Sequence, residues 1–309
     1  MTRTASKPAR KQRKGRSPYA FWAAAFIAPF VICYLMFNLF PVVYTFFVSL
    51  FDWSIGQEKV FIGFENYFNV IKDPNFLRSV TNTVYIMLIS FPIAIFLGLV
   101  VAVFLSELTR GRLLFQTLTF LPYITTAVAV GLVFSFLFDW KTGIVNRLLE
   151  LVGIDGINWL GDAKYAPLVV AFMIVWKYTG YYMVLYLAGI TAIPTEMYEA
   201  ARVDGAGKIA TFFQITLPQL KNTTTFIVIT GLIVGLQLFD EPNMLFSLAA
   251  HDAAVGGPDR SALTIVWNFF DVSFQSSSRL GYGSAVAISL FALILALSLV
   301  GIHFQMKDD

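Results

Sequence analysis

Six long apolar runs separated by more polar segments dominate the pattern of this 309-residue chain. They fall at 21–50, 84–105, 114–138, 167–193, 223–239 and 282–304. Each approaches or exceeds the roughly 20 apolar residues a helix needs to cross a bilayer. Hydrocarbon offers the backbone no hydrogen-bond partner, so segments of this kind fold as helices. The pattern predicts an all-α membrane protein with six transmembrane helices: a polar tail over residues 1–18 and one membrane domain over 19–309.

The segment between the fourth and fifth runs has a different grammar. Pro194 suits a first helical turn, where its missing N–H costs nothing. Residues 195–204 read as helix, with the strong formers Glu199, Ala200, Ala201 and Arg202. Gly205 fits the left-handed position that ends a helix. A second short helix is predicted over 208–216, ending before Leu217-Pro218 because the residue before proline is pushed out of the helical region. The result is a helix–glycine–helix elbow with two small alanines expected on its surface, able either to enter another protein's groove or simply to connect two spans. The external segments are rich in aromatic and turn residues: Phe51-Asp52-Trp53, then 61–67, then Asp73-Pro74-Asn75-Phe76, read together as an interfacial loop.

Composition agrees with the pattern. Hydrophobic residues make up 57% of the chain and charged residues 13%, with mean hydropathy +0.70. Soluble proteins carry about 25% charged residues, so the bilayer is the expected solvent. Thirteen of the 22 Lys and Arg lie in the segments that are inside if the N-terminus is inside, and eight lie in the opposite set. Basic residues favour the cytoplasmic side, so both termini and the elbow are expected in the cytoplasm. Seven of those cations crowd into residues 1–18 with no acid, as in a disordered orientation tag. The single cysteine, Cys33, excludes an intrachain disulfide. His251 and His303 are far apart in sequence, no HExxH motif occurs, and no metal site is expected.

The fourth run holds the chemistry most relevant to transport: Trp176-Lys177-Tyr178, with Tyr182 and Tyr186 following at helical spacing. A charge at the depth of Lys177 faces a polar cavity or a partner, or else snorkels along the helix. Tyrosine rings stack on apolar sugar faces and offer a hydroxyl to polar edges, although such stripes also serve packing. Asp240 and Glu241 close the fifth run, either solvated or lining a path. Gly231 and Gly235 allow close helix approach. Gly205-Ala206-Gly207-Lys208 lacks the remaining residues of a P-loop. Apart from Asp240 and Glu241 no carboxylate lies in the runs, so neither ATP hydrolysis nor proton coupling is legible in this chain.

The elbow carries a recognisable signature. Glu199-Ala200-Ala201, three residues, Gly205, nine residues, then Ile215-x-Leu217-Pro218 resembles the signature loop of membrane permease subunits of binding-protein-dependent ABC importers. Asn82-Thr83, Gly143-Ile144-Val145-Asn146, Asn158-Trp159-Leu160, Gly256-Gly257-Pro258 and 281–285 extend the resemblance to the sugar subfamily (maltose and glycerol-phosphate type) and to nearly the whole chain; 247–255 looks like an insertion.

The resemblance implies the ABC importer permease fold with a cytoplasmic coupling helix, in which Glu199, Ala200, Ala201, Asp204, Gly205, Ile215, Leu217 and Pro218 form the ATPase-coupling loop. It implies a path for a sugar or related polyol, to which Trp176, Lys177, Tyr178, Tyr182 and Asp240 are assigned, and a bulky residue at Ala201 is expected to uncouple transport. The implied partners are a second similar permease subunit, a dimer of ATP-binding subunits that carries the ATP and Mg, an extracytoplasmic solute-binding protein and membrane lipid. No nucleic acid, bound cofactor or catalytic residue is expected. The implied location is a bacterial or archaeal cell (inner) membrane. The rival readings are a stand-alone secondary transporter or channel and, more remotely, an intramembrane enzyme.

Overall fold

The structure is a computed structural model that describes residues 20–248 and 255–307. The basic tail over 1–18, His251 and most of the apparent 247–255 insertion lie outside the described residues. The chain divides into two compact units, 1–47 and 48–309. In the first, α1 (Ala20–Tyr34) passes through a wide π turn, Leu35–Leu39, into α2 (Phe40–Val48). Trp22–Val48 is long and apolar enough to cross a membrane.

The second unit opens with a two-residue ribbon, in which β1 (Phe51–Asp52) pairs antiparallel with β2 (Val60–Phe61), Phe51 opposite Phe61. Then come α3 (Glu65–Lys72), α4 (Pro74–Glu107), α5 (Arg112–Ile124), α6 (Ala127–Leu137), α7 (Ile144–Leu151) and α8 (Ala166–Thr191). The elbow comes next as α9 (Thr195–Val203) and α10 (Lys208–Thr211), with a π turn at Phe212–Thr216. The remainder is α11 (Leu217–Gln219), α12 (Lys221–Leu236), α13 (Asp240–Leu248), a 3₁₀ turn at Pro258–Arg260, α14 (Ile265–Phe270), a π turn at Asp271–Gln275 and α15 (Leu280–Lys307). The predicted all-α membrane class holds. Four helices among the described residues can span a membrane, and six spans result if each of two bent pairs counts as one.

Four expectations about these elements need correction. The second span begins ten residues earlier than predicted, because Asp73-Pro74-Asn75-Phe76 is a helix start rather than loop. Asp73 Oδ1 accepts from the Asn75 N–H at 2.8 Å, and Pro74 takes a first-turn position. The third run is not one helix: α5 and α6 meet at 95°. Pro122 removes a backbone donor, Thr125 and Thr126 turn extended, and the Thr126 hydroxyl caps α6 by accepting from the Ala129 N–H.

Leu217 stays helical (φ −64°, ψ −43°) despite preceding proline. The π turn before it, closed by the Leu217 N–H to the Phe212 carbonyl, widens the backbone ahead of the Pro218 ring. The bend of 62° comes after α11 instead, at Leu220. Finally, Asp240 and Glu241 do not close the fifth run: α12 ends at Leu236. Residues 240–248 form a separate helix, α13, with Glu241, Pro242, Asn243, Leu245 and Phe246 buried.

The core is built on α4 against α8. Gly98 makes their approach possible: a Cβ there would lie 2.7 Å from Tyr182 Cβ. Ile86, Met87, Phe91 and Ala94 of α4 share one buried cluster with Met173, Ile174, Tyr182 and Met183 of α8. Gly231 and Gly235 of α12 face Phe91 and Met87, so this glycine pair does serve close packing.

Several residues of the family-like motifs prove to be hydrogen-bond hubs. Asn66 Nδ2 donates to the Ser49 and Phe51 carbonyls, and Asn82 Nδ2 to those of Arg260 and Leu263. Asn146 is buried, donates to the Trp140 and Ile157 carbonyls, and accepts from the Ile157 N–H and the Trp159 indole. Each pins irregular backbone whose polar groups would otherwise go unpaired.

Candidate translocation path and coupling elbow

The elbow takes the predicted form. Pro194 (φ −56°, ψ 133°) turns the chain into α9, and Gly205 ends it at φ +76°. Behind the glycine, the Ala206 N–H reaches back to the Ala201 carbonyl at 2.9 Å and the Gly205 N–H to that of Arg202 at 3.1 Å. This satisfies carbonyls that the helix end would orphan.

Two contacts fix the elbow. Tyr198 and Thr216 hydroxyls lie 3.2 Å apart, and Lys208 Nζ meets Glu107 Oε2, at the end of α4, at 2.7 Å. Glu199, Ala200, Val203, Asp204 and Gly205 are exposed, whereas Ala201 is only 8% exposed. Ala201 is therefore not on the outward face with Ala200, because one residue step is about 100° around a helix. Ile215 and Leu217 are half-buried and Pro218 is exposed; the buried member of that run is Thr216, which the sequence reading did not name. Val203 and Ile209 are 87% and 77% exposed, an apolar surface beside Gly205.

In α8, Lys177 finds a partner. Its Nζ lies 2.8 Å from Glu241 Oε1, with the two side chains 11% and 7% exposed. The path residue proposed from sequence was Asp240, but Asp240 is exposed and Glu241 makes the pair. Of the two acids left open as solvated or path-lining, Glu241 is therefore buried within the helices, and Lys177 balances its charge. Charge matching could have found it. A buried lysine needs a buried acid, and two acids in succession follow the fifth run.

Around the pair lie aromatic rings. Tyr178 stands 5.7 Å from both Phe91 and Tyr123 and 6.3 Å from Tyr182; Tyr123 stacks on Tyr181 at 4.6 Å. Lys177 Nζ is 5.9 Å from the Tyr178 ring centroid. Trp176 is not in this group: it packs on Phe134 of α6 at 5.5 Å. Tyr123, Tyr181 and Phe91 were missed, Tyr123 because only the fold brings α5 against α8. The resulting surface pairs rings with a neutralised ion pair and offers stacking faces and hydroxyls.

Residues 71–305 match the family described as binding-protein-dependent transport system inner membrane component. The chain belongs to this family. It is a multi-pass membrane permease of the ABC importer type, a transport subunit whose ATP hydrolysis belongs to a partner ATPase and whose assembly includes a binding protein. It is 36% identical over 292 residues to the probable ABC transporter permease protein YurN of Bacillus subtilis, covering 93% of this permease and 95% of that protein. It is 35% identical to the sulfoquinovosyl glycerol transport system permease protein SmoG of Agrobacterium fabrum, covering 93% and 91%. In fold it matches a crystal structure of a bacterial alginate ABC transporter in complex with an alginate pentasaccharide-bound periplasmic protein. There the TM-score is 0.79 at 23% identity, over 93% of this permease and 94% of that chain.

Proposed function

We propose that this permease forms part of the path by which a sugar or related polyol crosses the cell membrane, driven by a cytoplasmic ATPase dimer acting on α9. The names of the curated relatives support a carbohydrate cargo. The observation that carries the coupling role is the elbow: a short helix with a small exposed residue at Ala200, stopped by Gly205 and tied back through Tyr198–Thr216 and Lys208–Glu107. Such a knob is stiff enough to transmit force and low enough to enter a groove.

Glu199, Ala200 and Asp204 meet the ATPase. Ala201 and Tyr198 face the membrane domain, and Ile215, Leu217 and Pro218 join the elbow to α12. ATP and Mg sit on the ATPase, and this chain binds no cofactor. A second, similar permease subunit completes the path, and a solute-binding protein delivers cargo to the opposite side. The excess of Lys and Arg on one set of segments supports an elbow and both termini in the cytoplasm.

The mechanism is alternating access. Closure of the ATPase dimer displaces α9, and α8, three residues away in the chain, tilts with it. The half-buried rings of Tyr123, Tyr178 and Tyr181, beside the withdrawn Lys177–Glu241 pair, are then exposed to one side at a time. Tyr178, half-buried, stacks against sugar rings; Tyr182, expected beside it, is only 1% exposed in the α4–α8 core and serves packing instead.

The test is ATP-dependent uptake of a labelled-oligosaccharide panel by vesicles holding the complete importer and its binding protein, comparing wild type with Ala200→Trp. The variant is expected to assemble but hydrolyse ATP without uptake. Normal uptake by Ala200→Trp refutes the docking face. Uptake by wild type without nucleotide refutes the ATPase-driven reading in favour of a stand-alone transporter.

A further inference from the structure

α8 is one unbroken helix from Ala166 to Thr191, and the elbow helix α9 begins after a link of three residues. Near its middle, Lys177 holds Glu241 in a nearly fully withdrawn ion pair. Glu241 stands in the first turn of α13, a helix of nine residues. That is far short of the roughly 20 a span requires. α13 in turn lies against α6, the eleven-residue helix left by the break in the third span. Their contact is close enough that a Cβ on Gly131 would lie 2.9 Å from Met244. α6 also touches α8 through rings, Phe134 on Trp176 and Phe172, but the charge pair is the polar link between the rod that bears the elbow and these two short helices.

A buried pair adds little net stability compared with apolar residues of the same shape, yet separating its members strands a charge in a low-dielectric interior. Apolar contacts can slide past one another at small cost; this pair cannot. We propose that Glu241 is a positioning residue: through Lys177 it makes α13 and α6 travel with α8, so that displacement of the elbow reaches the far half of the path. This rests on the proposed function, in which α9 receives the driving force.

The experiment reads sugar moved per ATP hydrolysed in vesicles holding the complete importer and its binding protein, using the labelled-oligosaccharide panel. In the double variant Lys177→Met with Glu241→Leu, thermal stability stays near wild type while this ratio falls by about fivefold or more, the lower end of typical coupling between sites. The concentration of loaded binding protein giving half-maximal uptake is unchanged. The reversed pair, Lys177→Glu with Glu241→Lys, recovers most of the lost ratio.

An unchanged ratio in the Met/Leu variant overturns the proposal, including the case where uptake and hydrolysis fall together. So does a change confined to half-saturation, which would make the pair a cargo contact. Absence of ATP-dependent uptake by the wild type would instead refute the driving-force reading on which the proposal rests.

Discussion

Gly180 offers the sharpest test of how α5 and α8 meet. It lies in the middle of α8, three residues past Lys177, and is buried. A Cβ added there would stand 1.9 Å from the Thr119 carbonyl oxygen and 2.9 Å from Phe120 Cα. Real Cβ contacts essentially never fall below 3.0 Å, so the backbone of α5 would have to retreat by about 1.1 Å. No flexible side-chain end can give way, because the obstructing atoms are main chain inside a helix. Overpacking of this kind costs about 1–3 kcal/mol, occasionally more.

The consequence extends past stability, since α5 brings Tyr123 onto Tyr178 and Tyr181. Gly180→Ala should therefore lower the melting temperature of the detergent-purified importer and weaken sugar uptake together. Gly207→Ala is the control, because its Cβ would meet nothing within 4 Å. Differential scanning fluorimetry of the two variants decides the matter. If Gly180→Ala melts with Gly207→Ala and wild type, the close approach of the two helices is wrong.

Three further outcomes can be checked. Asn146→Ala leaves the Ile157 N–H, the Trp159 indole and two carbonyls without their partner, at roughly 1–3 kcal/mol for each buried group left unpaired; hydrogen exchange over 140–160 should accelerate while the elbow's does not. Gly205→Ala meets no neighbour but keeps φ +76°, a strain of about 1 kcal/mol. It should reduce ATP-coupled uptake more than melting temperature, and equal effects of Gly205→Ala and Gly207→Ala would show that the elbow's turn does not matter. Glu107→Gln breaks an exposed ion pair with Lys208, worth about 0–1 kcal/mol, so melting should hardly move and high salt should mimic the substitution.

The spans were legible because a bilayer forces long apolar runs, and that signal survives every other demand on the sequence. The elbow was legible because Pro194 and Gly205 have few alternative uses in that spacing. What escaped was whatever depends on a partner distant along the chain. Ala201 and Ala200 are chemically identical, and only the packing of α9 decides that Ala201 turns inward. Glu241 and Asp240 are equally acidic neighbours, and only α13's seat against α6 and α8 sends one inward and leaves the other exposed. Asn82 and Asn146 stood out as motif residues before their reason was visible: each bonds backbone in a segment that the chain reaches only after folding.

The prolines carry this further. Five of them lie beyond the first turn of a helix or just past a π turn: Pro29, Pro41, Pro92, Pro122 and Pro218. Taken as a stop signal, each should end its helix, yet α1 and α4 run on through Pro29 and Pro92. In membranes a freed carbonyl is readily satisfied by neighbours or by a local change of winding. Pro41 and Pro218 show the second route, each preceded by a π turn that leaves the residue before proline helical. Proline here supplies a weak point, and the next few residues determine its use. After Pro122, two threonines with competing hydroxyls convert the weakness into a 95° break; after Pro218, Leu220 converts it into a 62° bend. The first break frees α6 to lie against α13, and the second sets the angle between the elbow and α12. The features that a helix-by-helix reading treats as defects are thus the ones that build the permease's two working parts.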